Sequence, residues 1–326
     1  FRGGDALRAW QDPDGRFEFI KVDGSRWGKT YMPWSLYHWL EAYALARGSL
    51  SPARRRRWED GLRLGFAGIA REMAAGAKAA GIHNITTWNG MSLARAGTVF
   101  GEPSWTDRGA ETIRRAAGAQ HPDGFWPENH GPTTTYNLVY LHAMGLHLHF
   151  TGDRSLAPVV ERANRFHVRF TYPDGSAVET VDGRVRYHRR VLVHGWPGLC
   201  ATAEGRALLR RLLRVAAVDA GGPGESGLQA AAQRIHRYPA HAAAYACWPA
   251  GADAGEAAGT DAPVRTVHGG ALVRRDRGWY LCMNGYLTPP EKRASVFNRW
   301  HLERQSYLSV FHDRAGLIVG GGNSRG

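Results

Sequence analysis

The chain has 326 residues, 42 of them Lys or Arg and 29 Asp or Glu, so its formal charge is +13 with histidine neutral. At 43% hydrophobic and 11% aromatic residues it is too apolar for a disordered chain, and a protein of this size buries roughly 75% of its unfolded surface, in about two domains. No stretch reaches the roughly 18 uncharged apolar residues of a membrane span, which excludes a transmembrane reading.

In chain order, residues 31 to 47 carry Leu36, Trp39, Leu40 and Tyr43 at helical spacing, with Pro33 in a first-turn position and Gly48 after the end. Ser51-Pro52 opens a second helix with Leu62, Phe66, Ile69 and Met73 on one face, and the Arg54 to Arg57 run reads as its solvated start. Further helices follow Asn84, then Glu102-Pro103-Ser104, then span 134 to 150 and 155 to 170. The turn sequences Tyr172 to Ser176 and Val181 to Arg184 frame a small hairpin. Ala-rich helices are expected over 199 to 217 and 226 to 246, and the small, polar, helix-breaking segment 251 to 263 is a linker. The period then changes to two: strands are predicted over 264 to 267, 271 to 274, 279 to 284, 306 to 311 and 316 to 320. Helices first and strands after, without βαβ alternation, give a mainly α chain with a β domain. Its expected parts are a helical domain over 1–250, a linker over 251–263 and an antiparallel sheet domain over 264–326.

Cys200, Cys247 and Cys282 lack CxxC spacing, which removes a disulfide framework and cysteine-based zinc ribbons. No His spacing identifies a metal site, so metal stays unassigned. The chain opens at Phe1 without Met or a signal peptide and stops at Gly326, and both ends read as boundaries of a longer polypeptide. Excess basic charge points first to nucleic acid, but Arg is scattered among 12 Trp and 12 Tyr with no nucleic-acid motif. That mixture suits a cleft for an anionic polysaccharide, with rings on pyranose faces and Arg on carboxylates.

Three clusters carry chemistry. Residues 120 to 140 are the densest: a Pro122-Asp123-Gly124 turn and a loop with Trp126, Glu128 and His130 lead into a helix bearing Tyr136, Asn137 and Tyr140. Tyr136 and Tyr140 are i,i+4 and share a face, so one can sit in a cleft while the other packs below; a core tyrosine with a satisfied hydroxyl is the plainer reading of Tyr136. In His83-Asn84-Ile85-Thr86-Thr87-Trp88, Asn84 is either a helix cap or a site residue. In 298 to 307, His301 precedes a strand beginning at Ser306-Tyr307.

Asn84 with Thr87-Trp88, then Pro122-Asp123-Gly124 with Glu128 and Tyr136, then His301 with Ser306-Tyr307, resemble in order and setting the polysaccharide lyases of the heparinase II/III and alginate lyase type. The resemblance spans about residues 80 to 320. It implies an α/α toroid of helical hairpins followed by an antiparallel β-sandwich, of which residues 264–326 would be the start. It also implies a secreted or periplasmic setting and no cofactor requirement. One position departs: the alginate lyases place His directly after the Asn, where this chain has Ile85, with His83 on the other side.

The implied reaction is β-elimination from a uronic acid. Loss of the C5 proton puts a second negative charge beside the carboxylate, so the site must hydrogen-bond or neutralise that group. Asn84, His301 and His130 are the expected catalytic partners of Tyr136: Asn84 donates to the carboxylate, and His301 with His130 either adds a donor when protonated or acts as base when neutral. Tyr136 protonates the departing O4 and, as a phenolate in a syn elimination, also takes the C5 proton. Trp88, Trp126, Glu128, Tyr140, Arg293 and Arg299 are the expected substrate contacts, the two arginines supplying charge that favours the phenolate. Two alternatives remain: a glycoside hydrolase on a related helical scaffold, which needs two facing carboxyl groups, and a non-catalytic polyanion-binding module.

Overall fold

The computed structural model describes residues 1–21, 23–76, 81–128, 131–182, 187–189, 191–219, 264–265, 270–286 and 307–320. They form two compact units, 1–116 and 117–326; the change from helices to strands lies within the second.

The first unit opens with helix α1 (Arg2–Trp10) and an antiparallel hairpin of β1 (Phe17–Ile20) and β2 (Arg26–Thr30). The sequence reading places nothing before residue 31. Of the hairpin's strands, β1 (Phe-Glu-Phe-Ile) is mostly apolar, but β2 (Arg-Trp-Gly-Lys-Thr) is largely polar and exposed, so the pair shows no matched period-two signal; its turn is carried by Gly24 at φ +79°. Then come α2 (Pro33–Ala46), α3 (Pro52–Gly76), α4 (Asn84–Phe100) and α5 (Pro103–Gly118), within two residues of their expected starts. Leu36, Trp39, Leu40 and Tyr43 of α2 and Leu62, Phe66 and Ile69 of α3, the positions that the helical spacing marks, form one core with Trp58 of α3 and Leu93 and Ala96 of α4, and Met73 packs against it partly buried. Arg54 pairs with Asp5 at 3.1 Å, while Arg55, Arg56 and Arg57 face solvent.

The second unit contains α6 (Thr134–Thr151), α7 (Ala157–Arg169), the short α8 (Trp196–Leu199) and α9 (Ala203–Asp219). The helix expected over 199 to 217 is broken at 200–202, where Thr202 Oγ1 accepts the Gly205 N–H at 3.0 Å and starts α9. Around 172 to 175 the expected turn forms, with Gly175 at φ +81°. Of the expected hairpin the described residues show the isolated bridges Thr171 with Ala177 and Ser176 with Val191, and residues 179 to 181 take a 3-10 turn. The helix expected over 226 to 246 and the linker over 251 to 263 lie outside the described residues.

Among the described residues a five-stranded antiparallel sheet follows in sequential order: β3 (Val264–Arg265), β4 (Ala271–Asp276), β5 (Trp279–Asn284), β6 (Leu308–His312) and β7 (Gly316–Val319). The β4–β5 loop is Arg277-Gly278 with both φ values positive, the two-residue form whose twist matches the strands. Burial alternates along β5, with Tyr280, Cys282 and Asn284 inside and Trp279 and Met283 outside. The inner face packs Ala271, Val273, Tyr280, Cys282 and Phe311 on Phe125, Phe166, Phe170, Tyr172, Val178 and Val181. The chain is therefore mainly α with a C-terminal antiparallel β part, the expected fold class. Among the described residues, no helix is long and apolar enough to cross a membrane.

Candidate active site

The 120–128 loop is anchored at both ends. Gln120 Nε2 donates to the Val159 carbonyl at 2.9 Å and its Oε1 accepts from Arg162 Nε at 2.9 Å, which ties the loop start to α7. Gly124 makes the turn at φ +96°, with its N–H on the His121 carbonyl at 2.8 Å. It lies so close to α7 that a Cβ there would stand 2.1 Å from the Arg162 oxygen. His121 stacks on Phe125 at 4.3 Å and its Nδ1 accepts the Asp123 N–H at 3.1 Å. Asp123 is buried and accepts the Tyr286 hydroxyl at 2.7 Å, which joins the loop to the segment after β5.

Beyond Phe125 the loop lies against α6. Trp126 and Tyr140 are buried and parallel, 4.9 Å between centroids and 3° between planes. The Tyr140 hydroxyl donates to Glu128 Oε2 at 3.0 Å. Burial first, and Glu128 second, hold that phenol well above its ordinary pKa, so it remains a donor. Neither ring presents a face for sugar stacking. Both are sealed from solvent, which corrects their expected role as substrate contacts: they support Glu128, itself half-buried.

Helix α6 begins with Thr133 in extended conformation and no cap from its own side chain. The cap comes from 48 residues away: Asp182, wholly buried, accepts both the Thr134 N–H and the Thr134 Oγ1 hydroxyl at 2.7 Å. A carboxylate at a helix N-terminus also meets the positive end of the helix dipole. Tyr136 is half-buried on this first turn. The next residue, Asn137, is wholly buried; its Oδ1 accepts the Trp126 N–H at 3.1 Å and its Nδ2 lies 3.0 Å from His167 Nε2 on α7. Burial lowers the His167 pKa to about 3, which keeps the ring neutral. Farther along α6, His142 Nδ1 donates to the His194 carbonyl.

In the first unit, Asn84 is the first residue of α4 and is buried. It is not the cap. His83 takes that position: its Nδ1 accepts the Thr86 N–H at 3.4 Å, its Nε2 pairs with Thr86 Oγ1 at 2.7 Å, and its carbonyl accepts the Thr87 Oγ1 hydroxyl at 3.1 Å. Trp88 is also buried, 5.7 Å from Tyr37 edge to face and 6.0 Å from Trp34, a core position and not an open platform. His130, Arg293, Arg299 and His301 lie outside the described residues.

Asn137, His167 and Asp182 are the polar residues of this region that sequence reasoning does not single out for a role. Asp182 sits in a Val-Asp-Gly turn, and His167 lies on a helix between Phe166 and Val168 with Arg165 and Arg169 beyond them. Nothing local links either to α6.

No protein-family model matches the chain and no curated protein matches it. Solved structures of the Streptomyces coelicolor A3 chondroitin AC lyase do share its fold. The complex with chondroitin sulphate aligns at a TM-score of 0.53 and 16% identity, and a mutant of that enzyme at 0.56 and 14%. Each alignment covers 96% of this chain and 45% of the lyase chain, so the chain spans under half the length of these proteins. At such identities the likeness is one of fold: helices followed by antiparallel strands, on a scaffold that carries polysaccharide lyase chemistry in those enzymes.

Proposed function

We propose that the chain is the helical part and first sheet of a polysaccharide lyase, a carbon-oxygen lyase that cleaves a uronic-acid-containing anionic polysaccharide by β-elimination. The observation that carries this reading is the first turn of α6. A half-exposed Tyr136 stands on a helix start fixed by buried Asp182, beside a loop whose Glu128 is held by Tyr140. The lyase fold of the structural neighbours and the +13 charge agree with it.

In this mechanism the C5–H bond breaks, its electron pair forms the C4–C5 double bond, and the C4–O4 bond breaks with its pair leaving on O4. Tyr136 supplies the proton to O4; as a phenolate in a syn course it first takes the C5 proton and passes that same proton on, so no co-reactant is consumed. Asn84 and His301 are assigned, on the sequence motifs, to the substrate carboxylate, whose neutralisation makes C5 acidic. The narrower likeness to the heparinase II/III and alginate lyase type rests on those motifs alone, and the substrate panel must therefore include chondroitin as well as alginate.

The hydrolase alternative is disfavoured by a specific contact. It needs two carboxyl groups facing substrate, and of the two in this loop Asp123 is sealed and accepts the Tyr286 hydroxyl.

Ultraviolet absorbance of unsaturated uronates, followed on alginate, glucuronan, heparinoid and chondroitin substrates, tests the proposal. A lyase makes the 4,5-double bond. New reducing ends without that absorbance would mean a hydrolase, and neither product would mean a binding module.

A further inference from the structure

The geometry points to Asn137 and His167 as positioning residues that set the loop carrying Glu128 against the helix carrying Tyr136, an inference that rests on the lyase reading above. Asn137 follows Tyr136 directly and is wholly buried, as is the amide contact it makes. Its two polar atoms are both used: Oδ1 takes the Trp126 main-chain N–H at 3.1 Å, and Nδ2 meets His167 Nε2 at 3.0 Å. With Oδ1 committed to a donor, Nδ2 must donate, so His167 Nε2 accepts and the ring proton sits on Nδ1. One side chain thus joins the loop two residues before Glu128, the first turn of α6, and α7.

The bond has a direction, and that direction makes the idea testable. A group at 167 that accepts a hydrogen bond holds the Asn137 amide in its observed orientation. One that cannot leaves a buried donor unpaired and frees the amide to turn, which releases the Trp126 N–H. Tyr140 holds side chains of the loop, the Glu128 carboxylate at 3.0 Å and the Trp126 ring by stacking; Asn137 holds its main chain to α6 through the Trp126 N–H. A displacement near 1 Å between an acid and the reacting atoms lowers turnover on the order of 10²-fold.

The experiment uses the full chain in four forms: wild type, Asn137→Leu, His167→Leu and His167→Gln. Turnover is followed by unsaturated-uronate absorbance, and the Trp126 amide by hydrogen exchange. His167→Leu is expected to lose roughly tenfold or more in kcat with KM within about twofold, and Asn137→Leu likewise, with Trp126 exchange at least about tenfold faster in both. His167→Gln, whose amide oxygen accepts from Asn137 Nδ2, is expected to stay within about threefold of wild type in both measurements. Equal behaviour of the Leu and Gln forms of His167, or unchanged Trp126 exchange in Asn137→Leu, overturns the assignment. Should Asn137→Leu fail to fold, the two His167 forms decide alone. If the wild type yields no unsaturated product from any polyuronate, the lyase reading fails on its own, and Trp126 exchange still decides whether Asn137 and His167 hold the loop.

Discussion

The Tyr140 hydroxyl donates to Glu128 Oε2 at 3.0 Å while the Tyr140 ring lies parallel to Trp126, so one buried side chain grips the loop at both 126 and 128. Tyr140→Phe keeps the stack and removes only the donor. The loss of a hydrogen bond to a charged acceptor is worth about 1.5 kcal/mol, the lower end of the range because Glu128 is half-buried and can turn to water. Denaturant unfolding of the variant measures it, and an unchanged midpoint would show that the bond holds nothing.

Gly124 is the pivot that aims this loop. At φ +96° a Cβ is strained, and it would stand 2.1 Å from the Arg162 carbonyl oxygen, a main-chain atom that cannot swing away. Gly124→Ala is expected to destabilise the protein by about 2 kcal/mol or more, from the left-handed backbone and the forced separation of loop and α7. Chemical denaturation tests this. Wild-type stability in that variant would mean that the loop does not lie on α7 as described.

What the sequence made legible follows the range of each signal. Helices α2 to α7 are long and striped, with Pro33, Pro52 and Pro103 in their first turns, and their starts are readable within two residues. Strands β5 and β6 alternate in burial, and β4 to β7 are bounded by turns such as Arg277-Gly278, so they too are readable. The hairpin β1–β2 is missed because β2 carries one large apolar side chain, Trp27, and is exposed along nearly all its length, so only one strand of the pair has an apolar pattern. Among the candidate residues, Tyr136, Glu128 and Asn84 stand out by residue type and motif. Their supports do not: Asp182 capping Thr134 across 48 residues and His167 meeting Asn137 across 30 are long-range pairings with no local pattern. The same limit explains Trp88, Trp126 and Tyr140, since a sequence shows that a ring is present but not which side of it is covered.

Acid should weaken the fold through His167. Burial holds its pKa down to about 3, against 6.5 when exposed. Between those values the unfolded chain binds a proton that the folded one refuses, so stability rises with pH across the window and falls as pH drops below 6.5. At pH 5 this single group accounts for about 2 kcal/mol. Unfolding free energies at pH 7 and pH 5 should differ less in His167→Gln than in wild type by about that amount. Equal differences would place the protonation elsewhere.

Binding of the polyanionic substrate should weaken with salt. A chain of charge +13 attracts a carboxylated glycan through a field that salt screens, the Debye length falling from about 30 Å at 0.01 M to about 3 Å at 1 M. KM is therefore expected to rise with ionic strength on every anionic substrate cleaved. A KM independent of salt, or better turnover of a neutral glycan, would remove the polyanion from the proposal.

Tyr136→Phe isolates the chemical step. The phenol stands on the first turn of α6, half-buried, on a helix whose start is capped by Asp182 and whose next residue is locked by Trp126 and His167. Removing one oxygen from a partly exposed ring leaves those supports in place, so the fold and substrate affinity should persist. In the proposed elimination the variant lacks the phenol that protonates O4 and takes the C5 proton, and kcat is expected to fall by at least about 10²-fold, the usual scale for loss of a general acid or base. KM should change little, which separates a lost proton donor from a lost binding contact. The two outcomes lead to different proteins. A collapse of kcat with binding retained makes Tyr136 the acid of the elimination. Near-normal turnover returns it to the plain role of a helix-start tyrosine, and the elimination must then draw its proton from another residue.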